Sequence, residues 1–244
     1  MSWLPPGKPK PTPLKLRTWV TTDHSAPLDY HMHTKWTDGT ATVEQMAVAA
    51  RSKGLSTILY SEHIRHTSTY FPEFVAEVRE VRNPGMTVHV GFETKVLDLQ
   101  GSLDCPAEAA ALSDALIGSV HNPPAIEGEP GGWSHRSPQA ALDLEFALAM
   151  AIVTGSQAHI LGHPMGIVVT KFGLKPKEQL SALAEACRAA DKAFELNARY
   201  CNDPLAWIEV VTRAGCKISF GSDAHDTDSV GSSWELFLKL RQQA

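Results

Sequence analysis

The sequence has few of the features that mark secreted, membrane-spanning or nucleic-acid-binding proteins. Its four cysteines are scattered without a CxxC pair, so a disulfide framework is not indicated and reduced thiols in a cytoplasmic protein are expected. No apolar run approaches the roughly eighteen residues of a membrane span, and prolines interrupt the N-terminal stretch where a signal peptide needs a continuous apolar core. The net charge of -5 disfavours long nucleic acid as a partner.

The composition predicts one globular domain preceded by an arm. A hydrophobic content of 43% in 244 residues is enough to bury a substantial core. Residues 1–27 carry six prolines, which exclude a regular helix or a central strand. This Pro-rich arm is expected either to pack along the domain of residues 28–244, to contact a partner subunit in a homo-oligomer, or to be a flexible tail.

Short apolar runs alternate with amphipathic stretches from Leu28 onward, which predicts repeated βα units and a parallel sheet. Seven strands are expected, over residues 28–33, 57–63, 86–93, 115–121, 159–164, 193–198 and 217–225. Helices are expected over residues 42–53, 71–81, 138–154, 176–191, 204–213 and 234–241. The Pro- and Gly-rich connection 122–137 is typical of a binding loop or lid, in which Trp133 and His135 could meet a substrate.

Nine histidine, aspartate and glutamate residues lie at or near the ends of these strands. Side chains two positions apart in a strand share a face, so His31 and His33 form one pair and Asp223 and His225 another. The two pairs would meet only in a closed barrel, where the C-terminal ends of the strands build the site. Nine such ligands are too many for one ion, which predicts two or three divalent metals among Zn²⁺, Mn²⁺ and Fe²⁺. The ligands are His31, His33, Asp38, His63, Glu93, His121, His163, Asp223 and His225.

The motifs HMH, TDG, SEH, GFE, SVH, GHP and SDAH, taken in this order, resemble those of the PHP family, named for polymerase and histidinol phosphatase. The resemblance runs from about Asp29 to His225. It implies a distorted (β/α)₇ barrel with a trinuclear metal site at the C-terminal ends of the strands. One metal would lie on His31, His33, Glu93 and Asp223, a second on Glu93, His121 and His163, and a third on Asp38, His63 and His225. Asp38 stands where some relatives have histidine, which favours harder ions.

The activity implied is hydrolysis of a phosphate monoester of a small metabolite, with histidinol phosphate as the family's namesake substrate. Adjacent cations lower the pKa of a bridging water, so that hydroxide attacks the phosphoryl group while the metals neutralise its oxygens. Glu93, Asp223 and His225 would be catalytic through the metals they hold.

Basic side chains near the strand ends are candidates for phosphate binding. Arg199 has the parity of inward-facing residues of its strand, and Arg65 follows His63 by two positions. Both are expected to contact phosphate through their guanidinium groups. Lys35 and Lys95 share faces with metal ligands but rank lower, because an exposed lysine is usually only a solvated charge.

Three other functions compete with this interpretation. A phosphodiesterase or 3′-exonuclease activity on a nucleotide or cyclic phosphate is the main alternative. A non-catalytic metal-binding regulatory module is disfavoured because no ligand position is lost. An amidohydrolase would need a bridging strand lysine that the GFE and SDAH motifs do not supply.

Overall fold

The computed structural model describes residues 26–82, 84–125 and 130–243, with side chains up to residue 240. Residues 1–25 of the Pro-rich arm lie outside the described residues, and its expected role in a homo-oligomer stays a prediction. Residues 126–129 of the long loop also lie outside them.

Seven parallel strands form one sheet in which each strand pairs with its neighbours in chain order. The strands are β1 (Leu28–Met32), β2 (Thr57–Ile64), β3 (Thr87–Lys95), β4 (Ala115–Ser119), β5 (Ile160–Leu161), β6 (Ala193–Leu196) and β7 (Lys217–Phe220). A parallel bridge between Met32 and Ala224 brings the chain after β7 against the end of β1. The sheet therefore curves into a nearly closed barrel, and the expected (β/α)₇ fold is confirmed.

Eight helices surround the strands in the described residues. They are α1 (Val43–Ser52), α2 (Phe71–Glu80), α3 (Ala107–Leu112), α4 (Pro138–Gly155), α5 (Gly166–Phe172), α6 (Lys177–Ala189), α7 (Pro204–Ala214) and α8 (Ser232–Gln243). The sequence did not predict α3 and α5, because helices of six and seven residues are too short to show a 3.6-residue periodicity. None of the described helices combines the length and the apolar character that crossing a bilayer requires.

Several predicted strands extended too far at their C-terminal ends. Strand β5 has two residues where six were expected, and β7 ends at Phe220 rather than at residue 225. The backbone leaves the extended region soon after both strands, with φ of 25° at His163 and 53° at Asp223. These two residues consequently lie in loops just beyond the strands.

The strands are buried on both faces, as parallel sheets covered by helices generally are. Every residue of β1 and β4 is buried. Helix α1 begins with a capping box in which Thr42 and Gln45 exchange side-chain and backbone hydrogen bonds. The core consequently fixes the strand ends from which the polar residues project.

Helix α4 carries a buried glutamate that fixes the start of α5. Glu145 is 1% exposed, and its two carboxylate oxygens accept hydrogen bonds from the backbone N–H groups of Ile167 at 3.0 Å and Val168 at 2.8 Å. Burial raises the pKa of Glu145 from 4.5 to about 7, although both backbone donors oppose the shift. Since α5 follows His163 closely, Glu145 holds one of the predicted ligand loops.

Replacing Glu145 by glutamine should destabilise the protein in a pH-dependent way. At about pH 5 the carboxyl is protonated, and we expect a loss of roughly 1–3 kcal/mol. Both oxygens of a protonated carboxyl can accept a backbone N–H, whereas the NH₂ group of glutamine accepts none. The pKa is higher in the folded than in the unfolded state, so the contribution of Glu145 is complete below about pH 4.5 and declines as the pH rises through 7. Denaturant unfolding of both proteins at about pH 5 and 8 should thus show a smaller difference at the higher pH. A difference that does not change with pH would contradict the raised pKa.

Candidate metal centre

All nine predicted ligands lie at the C-terminal mouth of the barrel. His31 is within β1 and His33 directly follows it, while His63 and Glu93 lie within β2 and β3, side by side in register. The other five follow strand ends or lie in the loop after β1: Asp38, His121, His163, Asp223 and His225. Six of the seven parallel strands, all except β6, thus bring residues that are up to 194 positions apart into one cluster.

Glu93 occupies the centre of this cluster and is 1% exposed. Its Oε1 lies 2.9 Å from Nε2 of His163 and 3.1 Å from Nε2 of His121. Its Oε2 lies 3.0 Å from Nδ1 of His63 and 3.7 Å from Nε2 of His33. One carboxylate thus faces imidazoles from four different strand ends.

The two aspartates complete the cluster on either side of the glutamate. Asp223 Oδ1 lies 3.2 Å from Nε2 of His33 and 3.6 Å from Nε2 of His31. Asp38 lies at the outer edge, 3.3 Å from Nε2 of both His63 and His225, and its side chain is 55% exposed. The exposed aspartate makes the outer position the most accessible part of the cluster.

The donor atoms fit divalent metal ions. Three groups have ligand atoms that all lie within 4.8 Å of one another: His33, Asp38, His63 and His225; His31, His33 and Glu93; and His63, Glu93 and His121. Nε2 of His31, both ring nitrogens of His33 and Oε2 of Glu93 are buried without a well-directed hydrogen bond among the described residues. Buried polar atoms are normally satisfied, so unsatisfied atoms on His31, His33 and Glu93, which form one of the three groups, indicate a place for a cation.

The charges of the cluster also suit metal binding. Burial alone would raise the pKa of Glu93, but the surrounding histidines, His121 and His31 foremost, hold it well below its usual range. The pKa of Asp223 is likewise lowered, against burial, by His33 and His31. Burial lowers the pKa of His33 to about 4. Ionised carboxylates and a neutral imidazole are the protonation states that metal ligands require. Against burial, neighbouring carboxylates raise the pKa values of His31, His63 and His163, so a metal would displace protons from these imidazoles on binding.

Two of the predicted ligands have backbone conformations that L-residues rarely adopt. His163 and Asp223 have positive φ, at a cost of roughly 1–3 kcal/mol for each such residue. The N–H of His163 donates to Glu195, and the hydroxyl of Tyr200 donates to Asp223 at 2.8 Å. The orientation of these two side chains therefore comes with a cost in conformational energy.

Sequence reasoning missed the residues that support the ligands. Glu195, with no exposed surface, lies with Oε1 2.7 Å from Nδ1 of His31 and accepts the His163 N–H with Oε2. A Cβ on Gly221 would lie 1.8 Å from Glu195 Oε1, so only glycine leaves room for this carboxylate. The signal available was parity alone, because Glu195 has the parity of an inward-facing strand residue. Arg199, expected to share this strand face, instead lies in the turn beyond the end of β6 at Leu196.

Three further polar residues hold the ligand loops. Asp29 accepts hydrogen bonds from the backbone N–H groups of Ser222 at 2.9 Å and Gly231 at 2.8 Å, which ties β1 to the loop that carries Asp223. Glu62 accepts the backbone N–H of Thr34 at 2.5 Å in the loop between His33 and Asp38. Tyr200 was also missed as a residue of the site.

Of the predicted substrate-binding residues, only some lie at the cavity above the cluster. A cavity of about 350 Å³ opens over the cluster and is lined by Arg65 and Arg199, whereas Lys35 and His135 are exposed and outside the described lining. Arg199 reaches Asp223 with Nη1 at 3.3 Å. Trp133 is 3% exposed, and its indole N–H donates to the carbonyl of His121 at 2.7 Å, so the structure places it behind a ligand rather than in the cavity. Substrate contact by these residues stays a prediction.

Comparison with known proteins places the chain in a family. A family model described as the PHP domain matches residues 29–199. The chain belongs to the PHP domain family. Of the nine predicted ligands, seven lie in the matched range, while Asp223 and His225 lie beyond it.

Curated relatives of this PHP domain protein share about a quarter of its residues. A protein of Pectobacterium atrosepticum named "probable phosphatase" is 26% identical over 217 residues, which cover 84% of this chain and 81% of that protein. A protein with the same name from Caldicellulosiruptor bescii is 25% identical over 206 residues, covering 81% of this chain and 78% of the relative.

A solved structure shows the same fold. The histidinol phosphate phosphatase of Lactococcus lactis, complexed with zinc, L-histidinol and phosphate, superposes with a TM-score of 0.69 at 22% sequence identity. The superposition covers 87% of this chain and 93% of that protein.

Proposed function

We propose that this PHP domain protein hydrolyses a phosphate monoester of a small metabolite at a cluster of two or three divalent metal ions. The observation that carries the proposal is the convergence of the nine predicted ligands around Glu93, with four buried donor atoms left unsatisfied. The family and the phosphatase names of relatives that cover most of the chain support the class of enzyme, a hydrolase of phosphoric esters.

The nine predicted ligands would be divided among three metal ions according to their positions. His31, His33, Glu93 and Asp223 would hold one ion, Glu93 with His121 and His163 a second, and Asp38, His63 and His225 a third. When bound, such ions lower the pKa of water towards neutrality and neutralise phosphoryl oxygens. Arg199, whose Nη1 lies 3.3 Å from Asp223, would donate to the same phosphoryl group.

The size and the lining of the cavity favour a small substrate. Its volume of about 350 Å³ suits a small ligand rather than a polymer. Asp38, His63 and His225 line its outer part, where their side chains are 27–55% exposed. A substrate would therefore approach the cluster from the side of Asp38.

Metal content and chelation test the cofactor. We expect protein reconstituted in parallel with Mn²⁺, Zn²⁺ or Fe²⁺ to retain two or three equivalents and to release phosphate from at least one small monoester in a panel of sugar, amino-alcohol and nucleotide phosphates. Chelation should abolish phosphate release, because the reaction depends on the ions that these ligands hold. Adding the metal back should restore it. Elemental analysis and a phosphate assay measure both.

The matched control is Asp226→Asn, which removes an exposed carboxylate next to His225 but outside the cluster, and it should keep the full metal content. One equivalent or none after reconstitution would contradict a multinuclear site. Faster hydrolysis of bis(p-nitrophenyl) phosphate than of the monoester would instead favour the phosphodiesterase alternative.

A further inference from the structure

A pair of cations occupies one side of the cavity, apart from the predicted metal ligands. His63 and Glu93 are paired in the β2–β3 register, and Ile64 and Thr94 follow as the next pair. Arg65 follows Ile64 at the end of β2, and Lys95 follows Thr94 at the end of β3. Both residues line the cavity. Arg199, the third cation of the lining, comes from the end of β6, which β4 and β5 separate from this pair.

We infer that Arg65 and Lys95 bind a second anionic group of the substrate, a carboxylate or a phosphate on the leaving group. This inference rests on the proposed function and specifies its substrate class. Arg65, expected from the sequence to contact the reacting phosphate, is thereby assigned to the second anion. Lys95, which ranked low by sequence because an exposed lysine is usually only solvated, becomes a specificity-determining residue.

A buried carboxylate positions the pair. Asp104 is 3% exposed, and its Oδ2 lies 3.5 Å from Nζ of Lys95. Its Oδ1 accepts the backbone N–H of His66 at 2.9 Å and lies 2.5 Å from Nδ1 of the same histidine. The backbone N–H of Asp104 donates to the carbonyl of Lys95 at 3.0 Å. Asp104 thus ties Lys95 to the loop that presents Arg65.

The two cations keep donors available for a ligand. An ammonium group has three N–H donors, so the single contact with Asp104 leaves two on Lys95. Arg65 forms no ion pair with any described residue, and its guanidinium carries five donors. A carboxylate or phosphate could therefore receive bonds from both side chains.

The charge of the cavity selects against a cationic leaving group. Besides the predicted metal ligands, the charged side chains in the described lining are Arg65, Lys95 and Arg199, which are all cationic. Arg199 lies beside Asp223 and is placed for the reacting phosphoryl group, which leaves the other two for the remainder of the substrate. An ammonium group there would meet like charges, whereas a second anion would be matched. Amino-alcohol phosphates such as histidinol phosphate are accordingly poor candidates.

Three monoesters of similar size test the inference: 2-phosphoglycolate, ethyl phosphate and O-phosphoethanolamine, whose leaving groups are anionic, neutral and cationic. We expect the wild type to favour phosphoglycolate in kcat/KM by at least about tenfold over ethyl phosphate, and phosphoethanolamine to be the poorest. The variants Arg65→Met and Lys95→Met should lower kcat/KM for phosphoglycolate by roughly 10- to 100-fold, a loss at least about tenfold larger than the loss for ethyl phosphate. Lys239→Met, on the outer surface of α8, serves as the control for a lost surface charge.

Equal kcat/KM values for the three esters, or an equal loss on all of them in the two variants, would overturn the inference while leaving the proposed phosphatase intact. Absence of release from every phosphate ester would instead contradict the proposed function. Calorimetric binding of phosphonoacetate and methylphosphonate then decides the second-anion site without turnover. Arg65→Met and Lys95→Met should weaken the binding of phosphonoacetate by at least about tenfold more than that of methylphosphonate, and an equal effect on both ligands, or none, would overturn the inference.

Discussion

Glu93→Ala is expected to lower kcat/KM for phosphate release by more than about 10³-fold and to remove at least one metal equivalent. The carboxylate lies between the imidazoles of His63, His121 and His163, at 2.9–3.1 Å from each. In the proposed assignment it is the one residue shared by two metals, so its loss affects both positions. The surrounding histidines would also lose the negative charge that balances their positive charge when they are protonated.

Metal analysis, steady-state kinetics and thermal unfolding of Glu93→Ala should be measured together. Glu93→Gln keeps the size of the side chain but supplies a weaker ligand, so it should lose metal and turnover while folding normally. Glu185→Ala, an exposed glutamate on α6, is the matched control and should keep both properties. Near-normal turnover by either Glu93 variant would remove this residue from the bridging role.

Glu195→Gln is expected to lower metal affinity by roughly 10- to 100-fold, although glutamine has almost the same shape. Glu195 accepts two hydrogen bonds when His31 carries its proton on Nδ1, one from that proton and one from the His163 N–H. This tautomer leaves the Nε2 lone pair of His31 facing Glu93 and Asp223. The oxygen of glutamine can accept only one of these two hydrogen bonds. Its NH₂ group would then face either the His163 N–H or Nδ1 of His31, and in the second case it would favour the His31 tautomer that carries its proton on Nε2.

Competition titration with a chelator gives the metal affinity of the wild type and of Glu195→Gln. Denaturant unfolding of the metal-free proteins distinguishes a loss of metal affinity from a folding defect. A positioning role predicts weaker metal binding even where the metal-free proteins differ little in the free energy of unfolding. Gly221→Ala offers an independent check, since its Cβ would displace the Glu195 carboxylate. Unchanged metal affinity in Glu195→Gln would show that His31 needs no such partner.

The fold was largely predictable because its signals are local. Apolar runs of strand length alternate with amphipathic stretches, and prolines near helix starts with glycines past helix ends mark the boundaries, as at Pro204 and Gly215 of α7. What failed depends on contacts between distant parts of the chain. Strand ends were overestimated at His163 and Asp223, where the backbone has positive φ, the N–H of His163 donates to Glu195 and the side chain of Asp223 accepts from Tyr200.

The sequence by itself determined the number of βα units and the set of nine candidate ligands, because strand parity and strand ends can be read from neighbouring residues. Only the tertiary structure decided which of these residues face one another and that Glu93 lies at their centre. It further decided that Glu195 contacts His31 and that Asp104 contacts both Lys95 and His66. It also separated the cations of the cavity from Lys35 and placed Trp133 behind His121. Such relations depend on how the barrel closes, and closure joins residues whose separation in sequence carries no local signal.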